Sequence, residues 1–243
     1  MEHVKTLSPK YLIIPASILI LIVIAFFILA PSKATEIKSL SCPDNNHPHL
    51  IDLGLPSGTL WACCNVGAGK PEELGGYYAW GETEEKDEYD SKNYKFYDIK
   101  AHEEGKKYHE CFHSLGDDIA GTQFDVATKQ WGDQYKMPSR NQFQELIDTC
   151  KFEWTILNDV KGAKFTGPSG KCIFFPAAGF KKDDTFLAKS NSLYWAYGLY
   201  WSSTQTPKPD SASYAYRFYF NSNEPHLQSY HRYYGRTIRP VNH

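Results

Sequence analysis

Apolar and polar positions alternate most regularly near the end of the chain. In the run from Tyr214 to Phe220 the rings at 214, 216, 218 and 220 keep a period of two, which sets them on one face of a strand and turns Ala215, Arg217 and Tyr219 to the other. Asn221, Ser222, Asn223, Glu224 and Pro225 are turn formers and predict a reversal of the chain. A second extended run is expected through Tyr230 to Tyr234 and on to Thr237–Val241. The pattern is that of a terminal β-meander rich in amphipathic rings, which supply rigid contact area at small entropic cost.

Upstream, the pattern changes several times. Between Ile51 and Val66, Pro56 and Gly58 fit positions i+1 and i+3 of a β-turn joining two strands, the second grouping Leu60, Ala62, Cys64 and Val66. Tyr77–Trp80, bounded by glycines, reads as another short strand. Two helices are then expected. Thr122 is the predicted N-cap of the first, with Phe124, Ala127 and Trp131 on one face and Gly132 ending it. Ser139 and Gln142 form a capping box for the second, ahead of a Phe143, Leu146, Ile147, Cys150 stripe. Residues 162–166, a turn at Gly167–Gly170 and Lys171–Pro176 read as a hairpin. Short antiparallel strands with two helices define an α+β class.

The N-terminal region reads differently. Residues 11–30 are uncharged and almost wholly apolar, a length that matches the bilayer core, so a transmembrane helix is expected there. Lys5 and Lys10 place residues 1–10 in the cytoplasm and the remainder outside. A cleaved signal peptide ending near Ala34 is the competing reading. Residues 31–49, with Pro31, Pro43 and Pro48, are expected as a linker, and 50–243 as the folded domain. Export would permit disulfides among the six cysteines, whose pairing the sequence leaves open. A net charge of only -2 gives no reason to expect nucleic acid as a partner. The acids between Glu82 and Asp90 lack the spacing of a calcium loop and read as a solvated segment.

Nine ordered motifs between Asp52 and Val241 carry a family resemblance: Leu53–Ala62, Cys64–Ala68, Tyr78–Thr83, Met137-Pro138, Phe143–Leu146, Thr166–Pro168, Phe175–Gly179, Tyr200–Ser203 and Arg239–Val241. The chain resembles the Fibrobacter succinogenes major paralogous domain family. The resemblance implies a bacterial, exported, surface-associated protein with a C-type lectin-like fold, and it brings no settled activity. Tyr135-Lys-Met-Pro-Ser139 departs from the family's usual Trp-Arg-Met-Pro-Thr. Calcium-dependent sugar binding would need Glu-Pro-Asn and Trp-Asn-Asp, and only Glu224-Pro-His226 and Trp131-Gly-Asp133 occur. The cysteine pair of the copper oxidases on the related scaffold has no counterpart after Cys172.

His109-Glu110-Cys-Phe-His113 fits H-E-x-x-H, in which a helix sets two imidazoles one turn apart on zinc while the Glu activates water. A zinc hydrolase built on His109, Glu110 and His113 is therefore the alternative to a binding role, and a structural subunit of a surface assembly is a third. Arg217, His231, Arg232, Arg236 and Arg239 gather positive charge near the C-terminus; arginine forks suit carboxylate or sulfate, as on an anionic glycan, unless Arg236 and Arg239 are paired internally. The favoured expectation is a membrane-anchored adhesion or binding domain without catalytic residues or cofactor. Its partner would be a surface glycan or protein, and its ligand-binding residues Tyr200, Arg217, Asn221, Asn223, His226, Tyr230, His231, Arg232 and Tyr233.

Overall fold

The computed structural model describes residues 48–187, 196–207 and 212–242. These residues build mostly antiparallel β-structure with short helices. β1 (Leu50–Asp52), β2 (Leu60–Ala62) and β11 (Val241–Asn242) form one small sheet in the order β1-β2-β11. β3 (Lys151–Leu157), β4 (Val160–Thr166) and β5 (Cys172–Pro176) form a meander. β8 (Gly198–Gln205), β9 (Tyr214–Phe220) and β10 (Pro225–His231) form the terminal meander in the order β10-β9-β8, and β6 (Lys181–Lys182) pairs with β7 (Thr185–Phe186). The helices are α1 (Ile99–Glu103), a 3-10 turn (Tyr108–Cys111), α2 (Val126–Trp131) and α3 (Arg140–Thr149).

Local chemistry explains most of these boundaries. The turn after β1 closes with Gly58 N–H donating to Leu55 C=O at 2.9 Å, with Pro56 at its second position as expected. Ser139 caps α3 through the capping box with Gln142, and Phe143 and Leu146 are sealed beneath it. α2 begins three residues later than expected because Asp125, not Thr122, is its N-cap. One carboxylate oxygen of Asp125 takes Ala127 and Thr128 N–H, and the other takes Gly121 and Met137 N–H. Burial pushes this carboxyl up while those donors pull it down. The β3–β4 hairpin was not foreseen. It turns on Asn158 and Asp159, both at positive φ (47° and 65°), residue types that tolerate that region.

β8 separates two cores. Tyr200 belongs to the first, where Trp61, Phe143, Leu146, Phe165, Phe175, Phe218 and Phe220 bring the three sheets and α3 together. Trp201, next in sequence, belongs to the second with Val66, Tyr78, Trp80, Ile119, Met137, Ala215 and Ile238. A third cluster of Tyr77, Tyr89, Tyr94, Phe96 and Phe112 lies beside them. Because both faces of β8 and β9 are covered, the period-two pattern of β9 does not separate inside from outside. Phe218 and Phe220 are buried on one face and Ala215 and Arg217 on the other, while Tyr214 and Tyr216 stay partly exposed. A register shift between Trp201 and Gln205 opposite β9 accompanies this change along the strand.

Three expectations need correction. The described residues are mostly antiparallel sheet with only short helices, so the α+β, C-type lectin-like class with two helices is not what this chain forms. Segment 11–30 lies outside the described residues, and among those no helix is long and apolar enough to cross a membrane. The single-pass, membrane-anchored placement, with the membrane as a partner, is accordingly withdrawn. The H-E-x-x-H segment is not an α-helix: Tyr108–Cys111 is a 3-10 turn, and Phe112 is already extended (φ -107°, ψ 130°) and bridged to Tyr97. At three residues per turn, followed by extended chain, His109 and His113 cannot share one face as zinc ligands must.

Candidate functional site

The residues singled out near the C-terminus separate into four environments. Tyr200 and Arg232 are fully buried and satisfied. Tyr200 donates its hydroxyl to Pro176 C=O at 2.7 Å. Arg232 donates to Tyr94 Oη at 2.9 Å, Ala212 C=O at 2.7 Å and His113 C=O at 3.2 Å, with its guanidinium over the Trp80 ring at 4.6 Å. Both are ties of the fold. So is Arg239, whose four donations reach Asn65 Oδ1 and the carbonyls of Ala62, Cys63 and Phe174.

Asn221 and Asn223 belong to the β9–β10 loop. Asn221 Oδ1 accepts from the N–H of Asn223 (2.8 Å) and of Glu224 (3.3 Å), an Asx turn that shapes the reversal, while Asn223 is exposed. At the far end of the hairpin His231 packs on Tyr214 at 4.4 Å and on Tyr233 at 5.1 Å, and Tyr108 approaches its edge. That patch faces away from the remaining three candidates, because His231 lies one residue beyond Tyr230 on the same strand.

Arg217, His226 and Tyr230 do come together. β9 pairs Arg217 with Gln228, Tyr219 with His226 and Ala215 with Tyr230, so these side chains stand on one face. Arg217 Nη2 donates to Gln228 Oε1, and Gln228 Nε2 reaches His226 Nε2 at 2.6 Å. Since the amide nitrogen can only donate, His226 Nε2 is the acceptor, and in the neutral ring the proton sits on Nδ1. The Tyr219 ring lies 4.6 Å from His226 and stacks with Tyr197 at 6.2 Å. Tyr197, Tyr219, His226, Gln228 and Tyr230 are all partly exposed.

Beneath them sits Arg236, whose guanidinium lies among aromatic rings. Its guanidinium carbon is 4.6 Å from the Trp201 centroid, 4.9 Å from Tyr230 and 5.4 Å from Phe180; Arg217 covers Tyr230 at 4.1 Å. Arg236 is sealed from solvent, and its Nε, Nη1 and Nη2 have no hydrogen-bond partner. Burial holds its pKa well below the ordinary value and the charge of Arg217 lowers it further, while burial brings Arg217 down to about 10. Every ion pair among the described residues involves lysine, so no carboxylate compensates either arginine.

Tyr219, Gln228 and Arg236 were absent from the expected ligand-binding set. Tyr219 was legible as the period-two companion of Arg217; Gln228 and Arg236 needed the pairing register and the packing. Elsewhere the acidic loop borders a cavity of about 400 Å³ lined by Glu82, Glu84, Glu85 and Lys86. Glu82 and Glu85 already take Lys86, Lys95 N–H and Tyr77 N–H there. No group of three His, Cys, Asp or Glu side chains among the described residues is arranged to hold a metal.

Residues 147–241 are similar to a domain of unknown function (DUF8237). That span runs from the last turn of α3 into β11 and so includes the whole terminal meander. No curated protein and no solved structure matches the chain.

Proposed function

We propose that this domain is a binding module that takes a glycan or protein ligand on the Arg217–His226–Tyr230 face of the terminal meander. The observation that carries this reading is the relay from Arg217 through Gln228 to His226, bordered by the half-buried rings of Tyr197, Tyr219 and Tyr230. Flat rings beside fixed polar groups are what sugar faces and protein hot spots engage. The nine family motifs support kinship with the Fibrobacter succinogenes paralogous domains as part of the same proposal. Their side chains are largely interior, including Leu53, Trp61, Asn65, Trp80, Phe175 and Trp201, so they bear on core packing rather than on a ligand.

A glycan array and a surface-protein screen with the full chain, repeated with Tyr219→Ala and His226→Ala, test the reading. A ligand that binds the native chain and is lost in both variants is expected. Equal binding by native and variant chains would put the ligand elsewhere.

A further inference from the structure

The described residues leave ten buried side-chain nitrogen and oxygen atoms without a hydrogen-bond partner, and four of them belong to Arg217 and Arg236. Native folds rarely leave such groups unmatched, and a cluster of them calls for an ion, water or ligand to complete it. The deficit here has one sign. Arg217 Nε and the three Arg236 nitrogens are all donors, and His226 Nδ1, buried and unpartnered on the same face, carries a proton whichever state the ring is in. Two buried guanidiniums that share the Tyr230 ring, with no carboxylate paired to either among the described residues, are the complement of an anion.

We infer that Arg217 and Arg236 form an oxyanion subsite, which takes a carboxylate or sulfate group of the ligand bound on this face. The inference rests on the binding role proposed above and specifies the ligand as acidic. Arg217, at the margin of the buried region, meets the anion first. Tyr230, partly exposed and stacked on both guanidiniums, is the ring that moves aside to admit it to Arg236. The rings that remain exclude water from the pair and strengthen it.

The test is titration calorimetry of the full chain with sodium sulfate and with glucuronate, against glucose and against sodium chloride at matched ionic strength. The two oxyanion arms separate an inorganic or sulfate-ester source from a uronic acid source. Expected is saturable binding of at least one oxyanion, weakened about tenfold or more in Arg217→Gln and in Arg236→Met, with glucose and chloride inert. Arg236→Met should also lose the oxyanion-dependent rise in melting temperature; if that variant does not fold, Arg217→Gln decides. Oxyanion binding that is unchanged in the variants, or absent from the folded native chain, overturns the subsite. A neutral ligand lost in Tyr219→Ala but indifferent to both arginines would overturn the subsite and leave the binding role standing.

Discussion

Arg239 and Arg236 are both fully buried, three residues apart, and they should respond to the same substitution in opposite ways. Arg239 donates at 2.7 Å to Asn65 Oδ1, at 3.2 and 2.8 Å to the carbonyls of Ala62 and Cys63, and at 2.9 Å to Phe174 C=O, which ties the end of β2 to β5. Hydrogen bonds from a charged donor each contribute roughly 1.5–3 kcal/mol. Removing four of them, and recovering the several kcal/mol that the buried charge costs in desolvation, leaves Arg239→Met less stable by about 3–5 kcal/mol. For a domain of this size that is a fall in melting temperature of roughly 10–15 °C. Arg236→Met has no hydrogen bond to lose, while Met keeps part of the packing against Trp201 and Tyr230, so without anion its stability should be unchanged or higher. Urea unfolding followed by tryptophan fluorescence measures both. Arg239→Met within about 1 kcal/mol of native, or equal losses in the two variants, would refute the division of these arginines into a fold tie and an uncompensated charge.

Further outcomes follow from the same geometry. Asp125→Ala removes the acceptor of four backbone N–H groups at once and should cost about 3 kcal/mol or more, beyond the ~1 kcal/mol of an ordinary N-cap, in the same urea assay. In Gly198→Ala the new methyl would meet the Phe220 ring inside the first core, so a loss of about 1–3 kcal/mol is expected by thermal melting. His113→Ala should leave melting temperature and zinc content as in the native chain, measured by calorimetry and elemental analysis, because the 3-10 turn at 108–111 does not aim the two imidazoles together. His226 and His231 are held below their ordinary 6.5, chiefly by burial, so between the depressed and ordinary values the unfolded chain binds more protons. Stability present above pH 6.5 should therefore fall as pH drops through the depressed values, and His231→Asn should flatten the slope of melting temperature against pH.

What the sequence determined was local. The capping box at Ser139–Gln142, the Pro56–Gly58 turn, the Gly167–Gly170 hairpin and the chain reversal at Asn221–Pro225 depend on interactions spanning a few residues, so residue type and spacing were enough. Near misses were local too: two N-cap candidates, Thr122 and Asp125, stand three apart, and Asp125 caps through Ala127 and Thr128 N–H while its second oxygen also takes the distant Met137 N–H. Tertiary structure decided everything that turned on who covers whom. Periodicity tells which residues of a strand share a face but not that both faces are roofed, so Tyr200, expected to meet a ligand, became core while Tyr230 stayed partly exposed. An arginine's long side chain can end in water, on carbonyls or on rings, and its charge carries no mark of which. Three arginines close in sequence thus came to different ends: Arg232 and Arg239 bind carbonyls, while Arg236 is enclosed by rings with its donors unmet, because those partners come from segments far apart in the chain.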